Sequence, residues 1–187
     1  DDGEEFYSTW GAFAEYAVIG DAEAMMEDGH TVGDGVLTEG NLGQKKIPEG
    51  LDDVEAAMIV TYREVYSTMK RLGFQKGKSL ILYGAGPVGL VFITLAKYMG
   101  LSPIICVDHT EKKLESARKC GADYTLNFDQ CDVTEEVLKI LPEKADMILD
   151  AAGVPALINQ NLKLVKNFGD VCIYGETAKS EYLINWE

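Results

Sequence analysis

From residue 80 onward, apolar and polar residues alternate in blocks that predict strands and helices in turn. Short apolar runs are typical of buried strands, and the stretches between them carry apolar residues at helical spacing. Such an order indicates a parallel sheet covered on both faces, because each right-handed crossover places a helix on one face. The predicted fold class is therefore α/β, a doubly wound parallel sheet. Its strands are 80–83, 104–107, 124–127, 147–149 and 171–174, and the helices between them are 88–99, 111–119, 133–141 and 155–165.

The first third of the chain gives a weaker pattern. Aromatic and apolar residues predict a strand over residues 10–19, whereas residues 20–43 are rich in Gly, Asp and Glu and predict a surface loop. A turn at Ile47-Pro48 leads into a predicted helix over Asp53–Arg71. Its apolar stripe predicts a core-facing side that comprises Ala57, Val60 or Thr61, Val65 and Met69.

A glycine-rich turn follows the first strand and opens the next helix. Its three glycines have the spacing G-x-G-x-x-G, namely Gly84, Gly86 and Gly89. Gly84 permits a tight turn, Gly86 lets the backbone approach a pyrophosphate, and Gly89 lets the helix pack against the strand. A phosphate at this position meets unpaired N–H groups and the positive end of the helix dipole. The motif alone is weak, but its context predicts dinucleotide binding.

An aspartate at the end of the second strand supplies that context. Asp108 follows Gly89 by nineteen residues, where a dinucleotide-binding fold places the carboxylate that accepts hydrogen bonds from the adenosine ribose. The alternative role is a helix cap or turn, since Thr110 and Glu111 open a polar helix. A free carboxylate repels a 2′-phosphate, and no arginine follows immediately to receive one. The predicted cofactor is NAD rather than NADP.

Other residues fall at the carboxyl ends of the later strands, where this class of fold binds its ligands. Lys113 lies one turn into the helix after Asp108 and is placed to reach the same ribose, or else is an ordinary surface lysine. The small residues Ala152 and Gly153 suit the passage of a flat ring, although ordinary turn chemistry explains them equally well. Tyr174 and Gly175 end the last strand at the same edge.

The amino-acid composition argues against several kinds of partner and site. The 187 residues carry a net charge of −14, which argues against a nucleic acid or an anionic membrane as partner. The sequence contains no apolar run long enough to span a membrane and no secretory leader pattern, so we expect a cytoplasmic protein. Its four cysteines lack metal-like spacing and its histidines number two, so neither a metal site nor a catalytic residue is predicted.

These motifs together resemble the medium-chain dehydrogenase/reductase family, the zinc-type alcohol and polyol dehydrogenases. The resemblance rests on Gly84-Ala85-Gly86-Pro87-Val88-Gly89, Val107-Asp108, Lys113, Gly121-Ala122-Asp123 and Asp150-Ala151-Ala152-Gly153. It implies a Rossmann-type NAD-binding domain over residues 47–187. It also implies that residues 1–46 hold a remnant of the GroES-like catalytic domain, with 20–43 as an insertion.

The resemblance also implies roles for particular residues. Asp108 and Lys113 would bind the adenosine ribose, Val88 would pack against the nicotinamide, and the backbone of Tyr174 and Gly175 would lie near its carboxamide. Hydride would pass between NAD(H) and a small alcohol or polyol, on zinc in the parent protein. Family members assemble through their cofactor domains, so a homodimer or tetramer is possible.

The sequence departs from the family where the zinc ligands would stand. No Gly-His-Glu motif occurs, since Thr31 follows Gly29-His30, and Ile59 and Val60 occupy the position of a further ligand. We therefore expect a cofactor-binding fragment without zinc that turns over no substrate by itself.

Three other functions remain open at this stage. They are a non-catalytic NAD-binding or sensing module, a zinc-independent reductase of the same family, and a methyltransferase. A methyltransferase requires an acidic residue within the first strand, where this chain has Leu80-Ile81-Leu82-Tyr83.

Overall fold

The computed structural model describes residues 20–43 and 46–176, and the chain divides into two compact units, residues 1–56 and 57–187. The first unit contains helices α1 (Ala22–Glu27) and α2 (Glu39–Gly43), and helix α3 (Asp53–Ala57) begins within it. The strand expected over residues 10–19 lies outside the described residues. No helix within 20–43 and 46–176 has the length and apolar character needed to cross a membrane.

The prediction of a loop over residues 20–43 was wrong for α1 and α2. Asp21 caps α1, because its carboxylate accepts hydrogen bonds from the N–H groups of Glu23 and Ala24 at 3.0 and 3.3 Å. Asp34 organises the following turn, where its Oδ1 accepts from the N–H groups of Val36 and Leu37 at 2.8 and 2.9 Å. Acidic residues that suggested a loop therefore act here as a helix cap, at Asp21, and as the centre of a turn, at Asp34.

The second unit is a five-stranded parallel sheet with the order β3-β2-β1-β4-β5, and it confirms the α/β fold class. Strands and helices alternate as the sequence pattern predicts. The elements are α4 (Ile59–Arg71), β1 (Leu80–Tyr83), α5 (Pro87–Tyr98), β2 (Ile104–Asp108), α6 (Glu111–Cys120), β3 (Tyr124–Asn127), α7 (Val133–Ile140), β4 (Ala145–Asp150), α8 (Pro155–Leu164) and β5 (Val165–Ile173).

Two apolar clusters cover the two faces of the sheet. On the first face, side chains of α4, α5 and α6 pack against alternate strand residues that include Leu82 and Cys106. On the second face, side chains of α7 and α8 pack against the intervening residues, such as Ile81 and Ile148. The central strands β1 and β2 are buried on both faces, which explains their continuous apolar runs.

Two details of the predicted pattern were wrong. In the stripe predicted over residues 53–71, Val65 and Met69 are buried, and of the two alternatives Thr61 is half-buried whereas Val60 is 72% exposed. Ala57, at the end of α3, is exposed. The last strand begins at Val165 and not at residue 171. Val165 pairs with Ala145, and the regular register with β4 resumes only at Asp170, so a short irregular stretch had concealed the start of the strand.

The amino ends of β1 and β4 are joined by a polar network around Asp146. Its Oδ2 accepts hydrogen bonds from the N–H and Oγ of Ser79 at 2.9 and 2.8 Å, and its Oδ1 lies 2.7 Å from Lys166 Nζ. Burial acts to raise the pKa of Asp146, but Lys166 and Ser79 outweigh it and lower the pKa to about 2. The ionised carboxylate therefore stabilises the folded state.

We expect the substitution Asp146→Ala to lower the free energy of unfolding by about 2 kcal/mol at neutral pH. Because the folded pKa is depressed, this stabilisation exists above about pH 4 and disappears as the pH falls towards 2. Urea unfolding over this pH range should show the difference from the unsubstituted chain shrinking in acid. The exposed Glu143→Ala variant is the control, and equal losses in the two variants would contradict the prediction.

Candidate functional site

The carboxyl ends of all five strands lie at one edge of the second unit. The strand order reverses between β1 and β4, since the chain continues from β1 outward to β3 and then returns to β4 on the other side. The helices that follow these two strands, α5 and α8, cover opposite faces. Parallel α/β sheets bind ligands in the crevice that such a reversal opens.

The glycine turn between β1 and α5 lines this crevice. Gly84 has a φ of +98°, and a Cβ there would lie 3.1 Å from the backbone nitrogen of Ala152. Gly86 caps α5 in an extended conformation, and a Cβ on it would meet no atom within 4 Å. Pro87 follows at the start of the helix, where its missing N–H costs no hydrogen bond. We call the open space beside Gly86, which a side chain would fill, the Gly86 cradle.

The third glycine lets α5 approach the turn closely. A Cβ on Gly89 would collide with the carbonyl oxygen of Gly84, so only glycine fits at this position. Ala85 is buried within the turn, whereas Val88 is half-buried at the mouth of the helix. The first N–H groups of a twelve-residue helix thus lie beside the Gly86 cradle, an arrangement that suits an anion.

Asp108 connects the end of β2 to the glycine turn. Its Oδ2 accepts a hydrogen bond from the N–H of Ala85 at 2.9 Å, and its Oδ1 accepts one from the N–H of Thr110 at 2.8 Å. Lys113 Nζ lies 3.9 Å from Oδ2. Burial opposes ionisation, but the two N–H groups and Lys113 lower the pKa of Asp108. The N-cap of α6 is Thr110, so Asp108 holds the turn before the helix rather than capping it.

Asp150 has a role at this edge that the sequence pattern does not predict. Its backbone carbonyl accepts hydrogen bonds from the N–H groups of Tyr174 and Gly175, each at 2.8 Å. Its Oδ1 accepts from the N–H groups of Ala152 and Gly153 at 2.9 and 3.1 Å. One residue thus holds both the loop after β4 and the end of β5. The only sequence signal for this role is an acidic residue at a strand end before three small residues.

The loop after β4 lies directly against the end of β5. Gly153 has a φ of +68°, and a Cβ there would collide with the carbonyl oxygen of Glu176. A Cβ on Gly175 would collide with the backbone nitrogen of Gly153. The predicted residues Ala152, Gly153 and Gly175 are therefore brought together as closely packed backbone.

The side chain of Tyr174 turns towards the first face of the sheet. Its ring packs edge-on against Phe92 with the centroids 5.1 Å apart, and its hydroxyl donates a hydrogen bond to Glu64 on α4. Burial and this bond raise the pKa of Tyr174 to about 12. At this position the backbone, rather than the phenol ring, faces the crevice edge.

A pair of exposed aromatic rings was also missed. His109 and Phe128 follow the ends of β2 and β3, and their rings meet edge to face at 5.4 Å. The side-chain amide of Asn127 donates to the carbonyl oxygen of His109 at 3.1 Å and so ties the two strand ends together. The pair extends the edge of the crevice beyond Asp108. The order of residues in the sequence does not predict that these two rings lie in contact.

Acidic, cysteine and histidine side chains do not gather into a metal site in residues 20–43 and 46–176. No three of them lie close enough to hold a metal ion. The described residues therefore do not fit zinc, and we assign none to them.

The chain is similar to known dehydrogenases in sequence. A family model described as zinc-binding dehydrogenase matches residues 87–186. The sorbitol dehydrogenase of Bacillus subtilis is 32% identical over 140 residues, which are 74% of this chain and 40% of that enzyme. The chain spans about two fifths of the length of the curated relatives that it matches.

Two solved structures share the fold. A zinc-binding dehydrogenase from Sinorhizobium meliloti 1021 bound to NADP superposes with a TM-score of 0.72 at 26% identity, over 76% of this chain and 42% of that protein. An alcohol dehydrogenase from E. coli CFT073 complexed with NADH superposes with a TM-score of 0.68 at 26% identity, over 75% and 42%.

Proposed function

Because the chain belongs to the zinc-binding dehydrogenase family, we propose that residues 57–176 form the NAD-binding part of a dehydrogenase acting on a small alcohol or polyol. The observation that carries this proposal is the Gly86 cradle, which adjoins the start of α5 and the ionised carboxylate of Asp108. A homodimer or tetramer and residues 1–46 as a catalytic-domain remnant remain predictions.

Different groups of described residues would bind different parts of the cofactor. The glycine turn and the first N–H groups of α5 would hold the pyrophosphate, and Asp108 with Lys113 would hold the adenosine ribose. The backbone around Ala152, Gly153 and Gly175, with Val88 opposite, would line the nicotinamide end. When bound, the cofactor supplies the hydride transfer of the reaction. We assign no catalytic side chain within the described residues, and their role is to bind and orient.

The proposal specifies NAD rather than NADP. The solved relatives include one with NADP and one with NADH, so the fold by itself does not decide between them. Asp108 supports NAD, because its ionised carboxylate would repel a 2′-phosphate in the ribose position. Arg118 follows on α6, but its guanidinium donates to Thr125 and Glu111 at 2.8 and 2.9 Å. It is therefore already bound elsewhere.

Titration calorimetry of the 187-residue chain tests this proposal. We expect NADH to bind more tightly than NADPH by roughly tenfold or more, about 1.4 kcal/mol, because only NADPH brings a charge against Asp108. S-adenosylmethionine is the control ligand and should show no binding. Equal or tighter binding of NADPH would overturn the role of Asp108, and binding of S-adenosylmethionine alone would favour a methyltransferase.

A further inference from the structure

The two carboxyl oxygens of Asp150 have different surroundings. Oδ1 accepts hydrogen bonds from the N–H groups of Ala152 and Gly153 at 2.9 and 3.1 Å. Oδ2 is buried and has no hydrogen-bond partner in the part of the chain that the structure describes. The hydrogen bonds of this side chain to described residues therefore both go to the loop after β4, residues 151–153.

The burial of this carboxyl group is unfavourable by itself. Asp150 is fully buried, and burial raises its pKa, although the N–H groups of Ala152 and Gly153 act in the opposite direction. A buried polar oxygen without a partner costs free energy on folding. Folded proteins depart from this rule mainly at functional sites, where position matters more than stability. The two hydrogen bonds that Oδ1 accepts from the loop therefore require a functional explanation.

The loop after β4 is in close backbone contact with two parts of the crevice. A Cβ on Gly84, in the glycine turn, would lie 3.1 Å from the backbone nitrogen of Ala152. A Cβ on Gly175, at the end of β5, would collide with the backbone nitrogen of Gly153. The two nitrogens that donate to Asp150 Oδ1 are thus the same two that meet the glycine turn and the end of β5.

We propose that the side chain of Asp150 is a positioning residue for the nicotinamide half of the cofactor. By holding these two N–H groups, Oδ1 fixes the loop between the glycine turn and the end of β5. This inference rests on the proposed function, in which the backbone around Ala152, Gly153 and Gly175 lines the nicotinamide end. In this role Asp150 touches no cofactor atom and acts through the loop.

The order of the strands separates this role from the adenosine half of the cofactor. Asp150 ends β4 and Asp108 ends β2, and β1 lies between these two strands. Asp108 makes its own hydrogen bonds to the N–H groups of Ala85 and Thr110, neither of which belongs to the loop after β4. A displacement of that loop should therefore weaken contacts to the nicotinamide half and leave the adenosine half in place.

The end of β5 keeps its hydrogen bonds when the side chain at position 150 changes. The N–H groups of Tyr174 and Gly175 donate to the backbone carbonyl of Asp150, each at 2.8 Å, and any residue supplies that carbonyl. A substitution of Asp150 therefore releases the loop after β4 while these bonds between β4 and the end of β5 remain.

Two substitutions test the role of the Oδ1 acceptor. Asp150→Leu keeps a branched side chain and removes both oxygens, whereas Asp150→Asn keeps one oxygen that can accept from Ala152 and Gly153. We expect Asp150→Leu to weaken NADH binding by roughly tenfold, but to weaken binding of ADP-ribose, which lacks the nicotinamide, by no more than about twofold. Asp150→Asn should keep both affinities within about twofold of those of the unsubstituted chain.

Asp132→Leu is the matched control for these titrations. Asp132 is exposed, and its Oδ1 accepts a hydrogen bond from the N–H of Glu135 at 3.1 Å at the start of α7. This variant should lower the thermal midpoint without changing the ratio of the two affinities. Equal losses of NADH and ADP-ribose affinity in Asp150→Leu, or an unchanged NADH affinity, would overturn the positioning role. If Asp150→Leu does not fold, Asp150→Ala carries the same comparison.

Amide hydrogen exchange tests the anchoring of the loop without any cofactor. In Asp150→Leu the N–H groups of Ala152 and Gly153 should exchange faster, whereas those of Tyr174 and Gly175 should keep their rates. Unchanged exchange at Ala152 and Gly153 would overturn the anchoring. Lack of NADH binding by the unsubstituted chain would instead overturn the proposed function, and the exchange rates would still decide whether Oδ1 holds the loop.

Discussion

Replacing Gly86 by alanine is expected to remove most of the affinity for NADH while leaving the stability of the fold unchanged. The backbone of Gly86, with φ −72° and ψ 177°, is open to any residue, and an added Cβ would touch no atom within 4 Å. Alanine therefore costs the folded chain little. The same Cβ would occupy the space in which we place the pyrophosphate, so the loss of affinity should be at least about tenfold.

Gly89→Ala is the contrasting variant for this experiment. Its Cβ would collide with the Gly84 carbonyl oxygen, and overpacking of this kind costs about 1 to 3 kcal/mol of stability. It should therefore lower both the thermal midpoint and NADH affinity, whereas Gly86→Ala lowers affinity alone. Undiminished NADH binding by Gly86→Ala would mean that the pyrophosphate does not lie in this cradle.

The second large effect is expected at Asp108. Asp108→Ala removes the acceptor for the N–H groups of Ala85 and Thr110 as well as the carboxylate proposed for the ribose. Hydrogen bonds to charged groups contribute about 1.5 to 3 kcal/mol, so we expect NADH affinity to fall by roughly 10- to 100-fold. The thermal midpoint should fall too, because the glycine turn loses its anchor.

Asp108→Asn removes the negative charge of the side chain but keeps one of its hydrogen-bond acceptors. The amide keeps an oxygen that can accept from one of the two N–H groups, so part of the stability should remain. Without the negative charge, the preference for NADH over NADPH should decrease, which calorimetry with both nucleotides measures. An unchanged preference would show that some other group discriminates between the two cofactors.

The sheet and its order of elements could be predicted because they depend on local patterns. The apolar runs at Leu80–Tyr83 and Ile104–Asp108 are buried on both faces, a pattern typical of strands in the middle of a covered parallel sheet. The glycine turn was visible for a similar reason, since its spacing reflects short-range backbone sterics. The short helices within 20–43 were missed because the carboxylates of Asp21, which caps α1, and of Asp34, which holds the turn before α2, organise this segment without an apolar period.

The linear order of residues thus determined which segments become strands, where the chain turns on glycine, and that a carboxylate ends the second strand. The tertiary structure alone decided that Asp108 bonds to Ala85, that Asp150 holds the ends of two strands, and that Tyr174 turns its hydroxyl to Glu64. Periodicity reports the average environment of a segment. A hydrogen bond between distant residues instead depends on strand register and helix placement, which exist only once the sheet has formed.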